Sequence, residues 1–106
     1  MVKIPKSCVS TVEVLAWSGL HLFHAPFSSC SQKVRLALEL KKLPWESHLI
    51  DLRAQENHGP RYLGVNPRGL VPALVHDGAV HVESNDLLCY LEDAFPDRGP
   101  RLLPPP

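Results

Sequence analysis

The sequence predicts an α/β domain in which one mixed sheet is flanked by helices. Three observations support this fold class. A strand, a helix and a second strand follow one another between residues 20 and 52, Asp77-Gly78 separates two β-type runs, and a helical pattern follows the second run. With 106 residues, 44% of them hydrophobic and 21% charged, the chain has the composition of a single globular domain.

The first unit begins with "LHLFH" (20–24), an apolar run that ends near a proline and predicts a buried strand. Pro44 ends the helix that follows, and "WESHLIDL" (45–52) alternates enough to predict a second strand. A strand–helix–strand unit normally forms two parallel strands with a right-handed crossover. The helix is predicted from Ser31 by apolar residues at helical spacing, namely Val34, Leu36, Ala37, Leu38 and Leu40.

The second half of the chain predicts an irregular helix, a hairpin and a final helix. Glycines and prolines limit residues 53–70 to a short helix around 56–63. Asp77-Gly78 favours a type I′ turn, which pairs Val75 with Val80 and Ala73 with Val82. Ser84 is then expected to cap the helix "SNDLLCYLEDAF", whose apolar stripe comprises Leu87, Leu88, Tyr90 and Leu91.

The resulting order, βαβ, a loose helix, ββ and α, is the thioredoxin-like layout with a mixed four-stranded sheet. It assigns 20–96 to the folded domain. Residues 1–19 are expected to be an N-terminal extension or a disordered leader, and the proline-rich 97–106 a linker.

Charge and cysteine content narrow the classes of partner and of compartment that fit this sequence. Eleven Lys and Arg balance eleven Asp and Glu, so the sequence favours neither nucleic acid nor a membrane as partner and points to a small molecule or a protein. Cys8, Cys30 and Cys89 are odd in number and lack metal or disulfide spacing, which favours a reducing compartment such as the cytoplasm. His76 and His81 share a hairpin face, but without further ligands at metal spacing no metal site is expected.

Three motifs together resemble a known family. "SSCSQKVRLALELK", "NPRGLVPALVHDG" and "ESNDLLCYLEDAFP" have the order and spacing of the N-terminal, glutathione-binding domain of the glutathione S-transferases, from about Leu20 to Pro96. Ser-Ser-Cys is similar to the zeta class, and the helix to transferases of the tetrachlorohydroquinone dehalogenase type. The resemblance implies a dimeric transferase that uses glutathione as co-substrate to attack a small electrophile. Complete members continue into an all-helical domain, which this sequence is expected to lack.

The resemblance also assigns the residues at the first helix. A thiolate is the nucleophilic form of a thiol, and a helix N-terminus stabilises it through free N–H groups and the macrodipole. By resemblance Ser28 donates its hydroxyl hydrogen bond to the glutathione thiolate, with Ser29 as the nearest rival. Cys30 has either a lowered pKa that allows mixed disulfides with glutathione or the role of a small buried residue.

The remaining candidate residues bind glutathione itself. Val71-Pro72 matches the family's cis-proline, which would direct the N–H and C=O of Val71 to the cysteinyl backbone. Glu83 would bind the ammonium group and Ser84 the carboxylate of the γ-glutamyl moiety. The candidates for the glycine carboxylate are Arg53, His58 and Arg68.

Two alternatives remain open. The chain is either a non-catalytic thioredoxin-fold module that binds glutathione or a protein, or a thiol reductase that uses Cys30. Against the reductase, residues 28 and 31 are serine where a Cys-x-x-Cys pair would place cysteine. Cys89, within "LLCYL", is expected in the core.

Overall fold

The computed structural model describes residues 2–101. Short 3₁₀ helices lie at Lys6–Cys8, Val12–Ala16 and Glu56–His58. The strands and α-helices, in chain order, are β1 (Val2–Ile4), β2 (Leu20–His24), α1 (Ser29–Leu40), β3 (Glu46–Leu49), α2 (Pro60–Leu63), β4 (Ala73–His76), β5 (Ala79–Val82) and α3 (Ser84–Ala94).

The sheet has the strand order β1-β5-β4-β2-β3, in which only β2 and β3 run parallel. The predicted strand–helix–strand unit and the hairpin are therefore confirmed. Val75 pairs with Val80 and Ala73 with Val82, as predicted. The turn residues Asp77 and Gly78 both have positive φ, 48° and 84°, which a type I′ turn requires.

Over the described residues the sheet has five strands rather than the predicted four, because the N-terminal segment supplies an edge strand. β1 pairs antiparallel with β5. The rest of the segment packs against the domain: Val14 is fully buried, and Gly64 O accepts hydrogen bonds from the N–H groups of Ser10 and Thr11. A strand of only three residues carries too little alternation to be recognised in a sequence. The described part of residues 1–19 is therefore an ordered extension and not a disordered leader.

Apolar clusters lie on both faces of the sheet. The first joins the sheet to α1 and α3 and contains Leu20, Leu22, Val34, Ala37, Leu38, Leu43, Leu74, Leu87 and Leu91. The second lies under α2 and the N-terminal extension and contains Val9, Val14, Phe23, Ile50, Tyr62, Val65, Ala73, Val75, Val80 and Val82. α1 and α3 pack side by side on one face. They begin close together, since Lys33 near the start of α1 donates from Nζ to Oδ1 of Asn85 at the start of α3 (2.8 Å).

A buried ion pair joins the far ends of these two helices. Lys41, at the end of α1, is 1% exposed, and its Nζ lies 2.8 Å from Oε1 of Glu92 in α3. The same ammonium donates to the carbonyl oxygens of Phe95 (3.3 Å) and Arg98 (3.1 Å). The chain after α3 is thus held against α1 as far as the description extends. Residues 102–106 of the expected linker lie outside the described residues.

Candidate functional site

A cleft of about 190 Å³ opens at the end of the sheet where β2 and β5 end and β4 begins. It lies between the first turns of α1 and α3. Five of the predicted site residues line it, namely Cys30, Val71, Pro72, Glu83 and Ser84, together with Asn66, Leu70 and Val82. The fold therefore brings together residues from all three sequence motifs.

Ser28 and Ser29 do not line this cleft, whereas Cys30 does. Ser28 is the N-cap of α1, in extended conformation, and its Oγ accepts a hydrogen bond of 3.2 Å from the N–H of Ser31. This contact uses an acceptor position of Ser28, so its hydroxyl hydrogen is still available to donate. Cys30 is exposed rather than buried, so the buried alternative for this residue is wrong.

Side chains of α1 hold the loop that leads into the helix. Arg35 donates from Nη1 to Ala25 O (3.0 Å) and from Nη2 to Pro26 O (3.1 Å). Its Nη1 also lies 3.0 Å from Nδ1 of the buried His24. Burial and, less strongly, the Arg35 guanidinium lower the pKa of His24, so the neutral imidazole accepts this contact. The path of the chain into Ser28 is therefore fixed by the helix that Ser28 caps.

The start of α3 differs by one residue from the prediction. Glu83, not Ser84, occupies the N-cap position, and Ser84 is the first helical residue. Glu83 has φ 75°, which is uncommon for a residue other than glycine. Within residues 2–101, its side chain forms no cap hydrogen bond. Both side chains border the cleft at a helix N-terminus, where free N–H groups favour an anion.

The peptide bond between Val71 and Pro72 is cis, as predicted. Among residues 2–101, no hydrogen bond involves the backbone N–H or C=O of Val71. The preceding residue, Leu70, is held in place, because its carbonyl oxygen accepts hydrogen bonds from the hydroxyl of Tyr62 (2.6 Å) and from Nδ2 of Asn66 (2.9 Å). The "VNPRG" sequence predicts a turn that positions the proline after it, and the contact of Asn66 with Leu70 O is part of that support.

The three candidate cations are separated in the fold. Arg68 contacts the carboxylate of Glu83, with Nη1 against Oε1, at the border of the cleft. Arg53 lies in another, apolar cleft of about 320 Å³ that Phe27 also lines. His58 Nε2 instead lies 3.3 Å from Nδ2 of its neighbour Asn57. Arg68 is thus the candidate cation beside the predicted site.

The other histidines and cysteines lie elsewhere. His76 Nδ1 lies 2.5 Å from the hydroxyl of Tyr90, and the ring of His81 stacks on Tyr90 at 4.1 Å. Burial lowers the pKa of His81, whose buried Nδ1 has no hydrogen-bond partner in the described part of the chain. Cys89 is exposed on α3, so the prediction that it lies in the core is wrong. Within the described residues, no helix is long and apolar enough to cross a membrane.

Comparison with known proteins gives a consistent family match. The family model described as "Glutathione S-transferase, N-terminal domain" matches residues 27–94. A zeta-class glutathione S-transferase of Euphorbia esula is 44% identical over 70 residues, which cover 66% of this chain and 31% of the relative. The chain spans about a third of the length of the curated relatives it matches.

Solved structures agree with this match. The beta-etherase LigF from Sphingobium superposes with a TM-score of 0.76 at 40% identity, over 80% of this chain and 35% of that chain. A glutathione transferase homologue from Sulfitobacter, solved with bound glutathione, gives 0.71 at 33% identity, over 76% and 38%. The thioredoxin-like fold class and the zeta-like resemblance are thereby confirmed.

Proposed function

Because this chain belongs to the glutathione S-transferase family, whose N-terminal domain it contains, we propose that it binds glutathione in the cleft between α1 and α3. One observation carries the proposal. Two helix N-termini meet at a single cleft with Val71, whose backbone N–H and C=O have no hydrogen-bond partner among residues 2–101. Glutathione offers a thiolate, a carboxylate and a peptide backbone, and this cleft provides complementary groups for all three.

The γ-glutamyl end of glutathione binds at the start of α3. Its carboxylate accepts hydrogen bonds from the Ser84 hydroxyl and from free N–H groups of the first turn. Its ammonium binds the carboxylate of Glu83, which the Arg68 guanidinium holds in place from the other side. The cysteinyl residue pairs with the backbone of Val71 in the manner of an added strand.

The cysteinyl sulfur then lies at the start of α1. Among residues 2–101, no acceptor is bound to the N–H groups of Ser29 and Cys30, which are therefore available to the thiolate. Ser28 donates its hydroxyl hydrogen to the same sulfur. The thiol proton leaves to solvent, and the thiolate forms a bond to an electrophilic carbon while a leaving group departs with its electron pair.

Cytoplasmic location, a homodimer and the electrophilic substrate also belong to this proposal. Three exposed free thiols support a reducing compartment. Exposed apolar side chains support burial against a second subunit or domain, since Phe27 is 95% and Leu49 61% exposed.

Calorimetric titration of the purified chain with glutathione tests the proposal. We expect binding that Ser84→Ala weakens at least tenfold, because an anion-binding hydroxyl is lost. Ser7→Ala is the matched control, since Ser7 is exposed and lies outside the cleft. Failure of a folded chain to bind glutathione, or equal weakening by both variants, would contradict the proposal.

Thiol exchange at Cys30 is a second candidate function, favoured by its exposed position in the cleft. The Cys30 thiolate would attack the glutathione sulfur of a mixed disulfide and release the substrate thiol. A second glutathione thiolate would then reduce the Cys30–glutathione disulfide and yield glutathione disulfide.

Deglutathionylation of a peptide, with glutathione as reductant, separates the two functions. If thiol exchange is the activity, Cys30→Ser abolishes it while Cys89→Ser and Ser28→Ala retain it. If glutathione conjugation is the activity, Ser28→Ala lowers the rate and Cys30→Ser has the smaller effect.

A further inference from the structure

Three polar side chains meet at the starts of β2 and β3, away from the glutathione cleft. His21 and Glu46 are register partners on these parallel strands, and Phe23 is the partner of His48. Residues two apart on a strand share a face, so His21, Glu46 and His48 project from the same side of the sheet. None of the three lines the cleft at the other end of β2.

The ligand atoms of these residues lie close enough together to contact one metal ion. His21 Nδ1 lies 2.9 Å from His48 Nε2 and 3.2 Å from Glu46 Oε2. All three ligand atoms lie within 4.8 Å of one another, and among the described residues no second group of this kind is found. In a tetrahedral zinc site with bonds of 2.0–2.1 Å, neighbouring ligand atoms are about 3.3 Å apart.

The backbone contact of His21 directs its other ring nitrogen towards these atoms. Its Nε2 lies 2.9 Å from Ser18 O, and a carbonyl can only accept, so Nε2 carries the proton. Nδ1 is therefore the ring nitrogen that faces both His48 and Glu46. Metal-binding histidines commonly have this backbone-carbonyl partner on their second nitrogen.

Trp17 holds both imidazole rings in place. Its ring stacks on His21 at 4.4 Å and on His48 at 4.7 Å, with interplanar angles of 21° and 9°. The His21 side chain is only 10% exposed, whereas that of Glu46 is 67% exposed. An ion can therefore reach the two fixed nitrogens from solvent on the side of the carboxylate.

We propose that His21, Glu46 and His48 bind a divalent transition-metal ion of the Zn²⁺ class, through two imidazole nitrogens and one carboxylate oxygen. Water occupies the remaining position. The ion joins the edge strand β3 to β2. Through His21 it also fixes the segment with Trp17 and Ser18, which connects the N-terminal extension to the sheet.

Titration of the full 106-residue chain with Co²⁺, after treatment with a chelator, tests this site. Co²⁺ reports its ligands by its visible spectrum, and Zn²⁺ then displaces it. We expect bands of four- or five-coordinate Co²⁺ without thiolate charge transfer, and at least tenfold weaker binding in His48→Gln and Glu46→Gln. Glu46 is largely exposed, so Glu46→Gln tests the site even if His48→Gln destabilises the fold.

His58→Gln is the matched control, because His58 is an exposed histidine outside the cluster. It should bind Co²⁺ like the unmodified chain. Quenching of Trp17 fluorescence by Cu²⁺, measured with Trp45→Phe, gives a second readout that the two cluster variants should lose. Equal Co²⁺ affinity in the cluster and control variants would overturn the proposal. So would a thiolate charge-transfer band that disappears when the exposed cysteines are changed to serine.

Discussion

The Lys41–Glu92 pair gives a quantitative test of how α1 and α3 are held together. Lys41→Met replaces the side chain with a slightly shorter one that has no charge and no hydrogen-bond donor. Glu92, 8% exposed, then loses the ammonium 2.8 Å away. Breaking a buried pair by removing one partner costs about 3–5 kcal/mol. Arg101 lies 3.9 Å from the other carboxylate oxygen, so we expect the low end, about 3 kcal/mol.

The double variant Lys41→Met with Glu92→Leu separates the charge effect from simple loss of contacts. It leaves no buried unpaired carboxylate, and apolar replacement of a buried pair is often neutral. The carbonyls of Phe95 and Arg98 still lose their donor, at about 1 kcal/mol each. We therefore expect the double variant to be destabilised by about 1–2 kcal/mol, less than Lys41→Met alone.

Urea unfolding followed by circular dichroism measures these differences. They are large enough to detect, because the total free energy of unfolding of a domain is about 5–15 kcal/mol. A loss below about 1 kcal/mol in Lys41→Met would refute the view that the pair is desolvated. A double variant at least as unstable as the single one would show that the carbonyl contacts, not the charges, carry the energy.

Three further predictions concern the site and its support. Arg35→Met should lower the free energy of unfolding in urea by about 2–3 kcal/mol, because the half-buried guanidinium makes charge-assisted hydrogen bonds to the loop before α1. Arg35→Lys should be destabilised as well, because lysine lacks the planar fork that makes these bonds. Ser28→Ala should cost about 1 kcal/mol through loss of the N-cap, whereas Ser28→Asp, which retains a cap acceptor but has no donor, should unfold like the unmodified chain and, under the proposed function, conjugate glutathione more slowly. Burial lowers the folded-state pKa of His81, so the unfolded chain binds the proton more tightly than the folded chain does. The contribution of neutral His81 to stability is therefore fully present above about pH 6.5 and is lost as the pH falls towards the folded-state pKa. His81→Phe should reduce this loss of stability with falling pH by at most about 1.4 kcal/mol per pH unit, which urea unfolding at about pH 7.5 and 5.5 measures. The same pH dependence in His81→Phe and in the unmodified chain would contradict this prediction.

The sequence predicted the elements whose signals are local. The positive φ angles at Asp77 and Gly78 belong to the turn itself, so the hairpin and its register followed from two residues. The helical spacing of apolar residues in α1 was also enough to predict that helix without knowledge of distant contacts. The family resemblance added the cis bond before Pro72, which no periodicity reveals.

What the sequence missed depends on contacts between distant residues. The side chain of Ser84 suits a helix cap, but Glu83 takes that position in a left-handed backbone conformation that is rare outside glycine. Cys89 is exposed because of the way α3 is rotated about its own axis against α1. The apolar residues around Cys89 in the sequence do not determine that rotation. His21 and His48 come together only through strand pairing across α1, so their spacing in sequence carried no signal.

The pairing of β1 with β5 has a consequence for the order of folding. Val2 lies opposite Val82, so β1 can pair only after β5, which lies about 80 residues further along the chain, has formed. The hairpin of β4 and β5 closes locally and quickly, whereas this contact must close a loop that spans most of the domain. We therefore expect the N-terminal strand to dock late and to open first, at a cost well below that of global unfolding. Hydrogen exchange should find the amides of β1 among the least protected of the sheet.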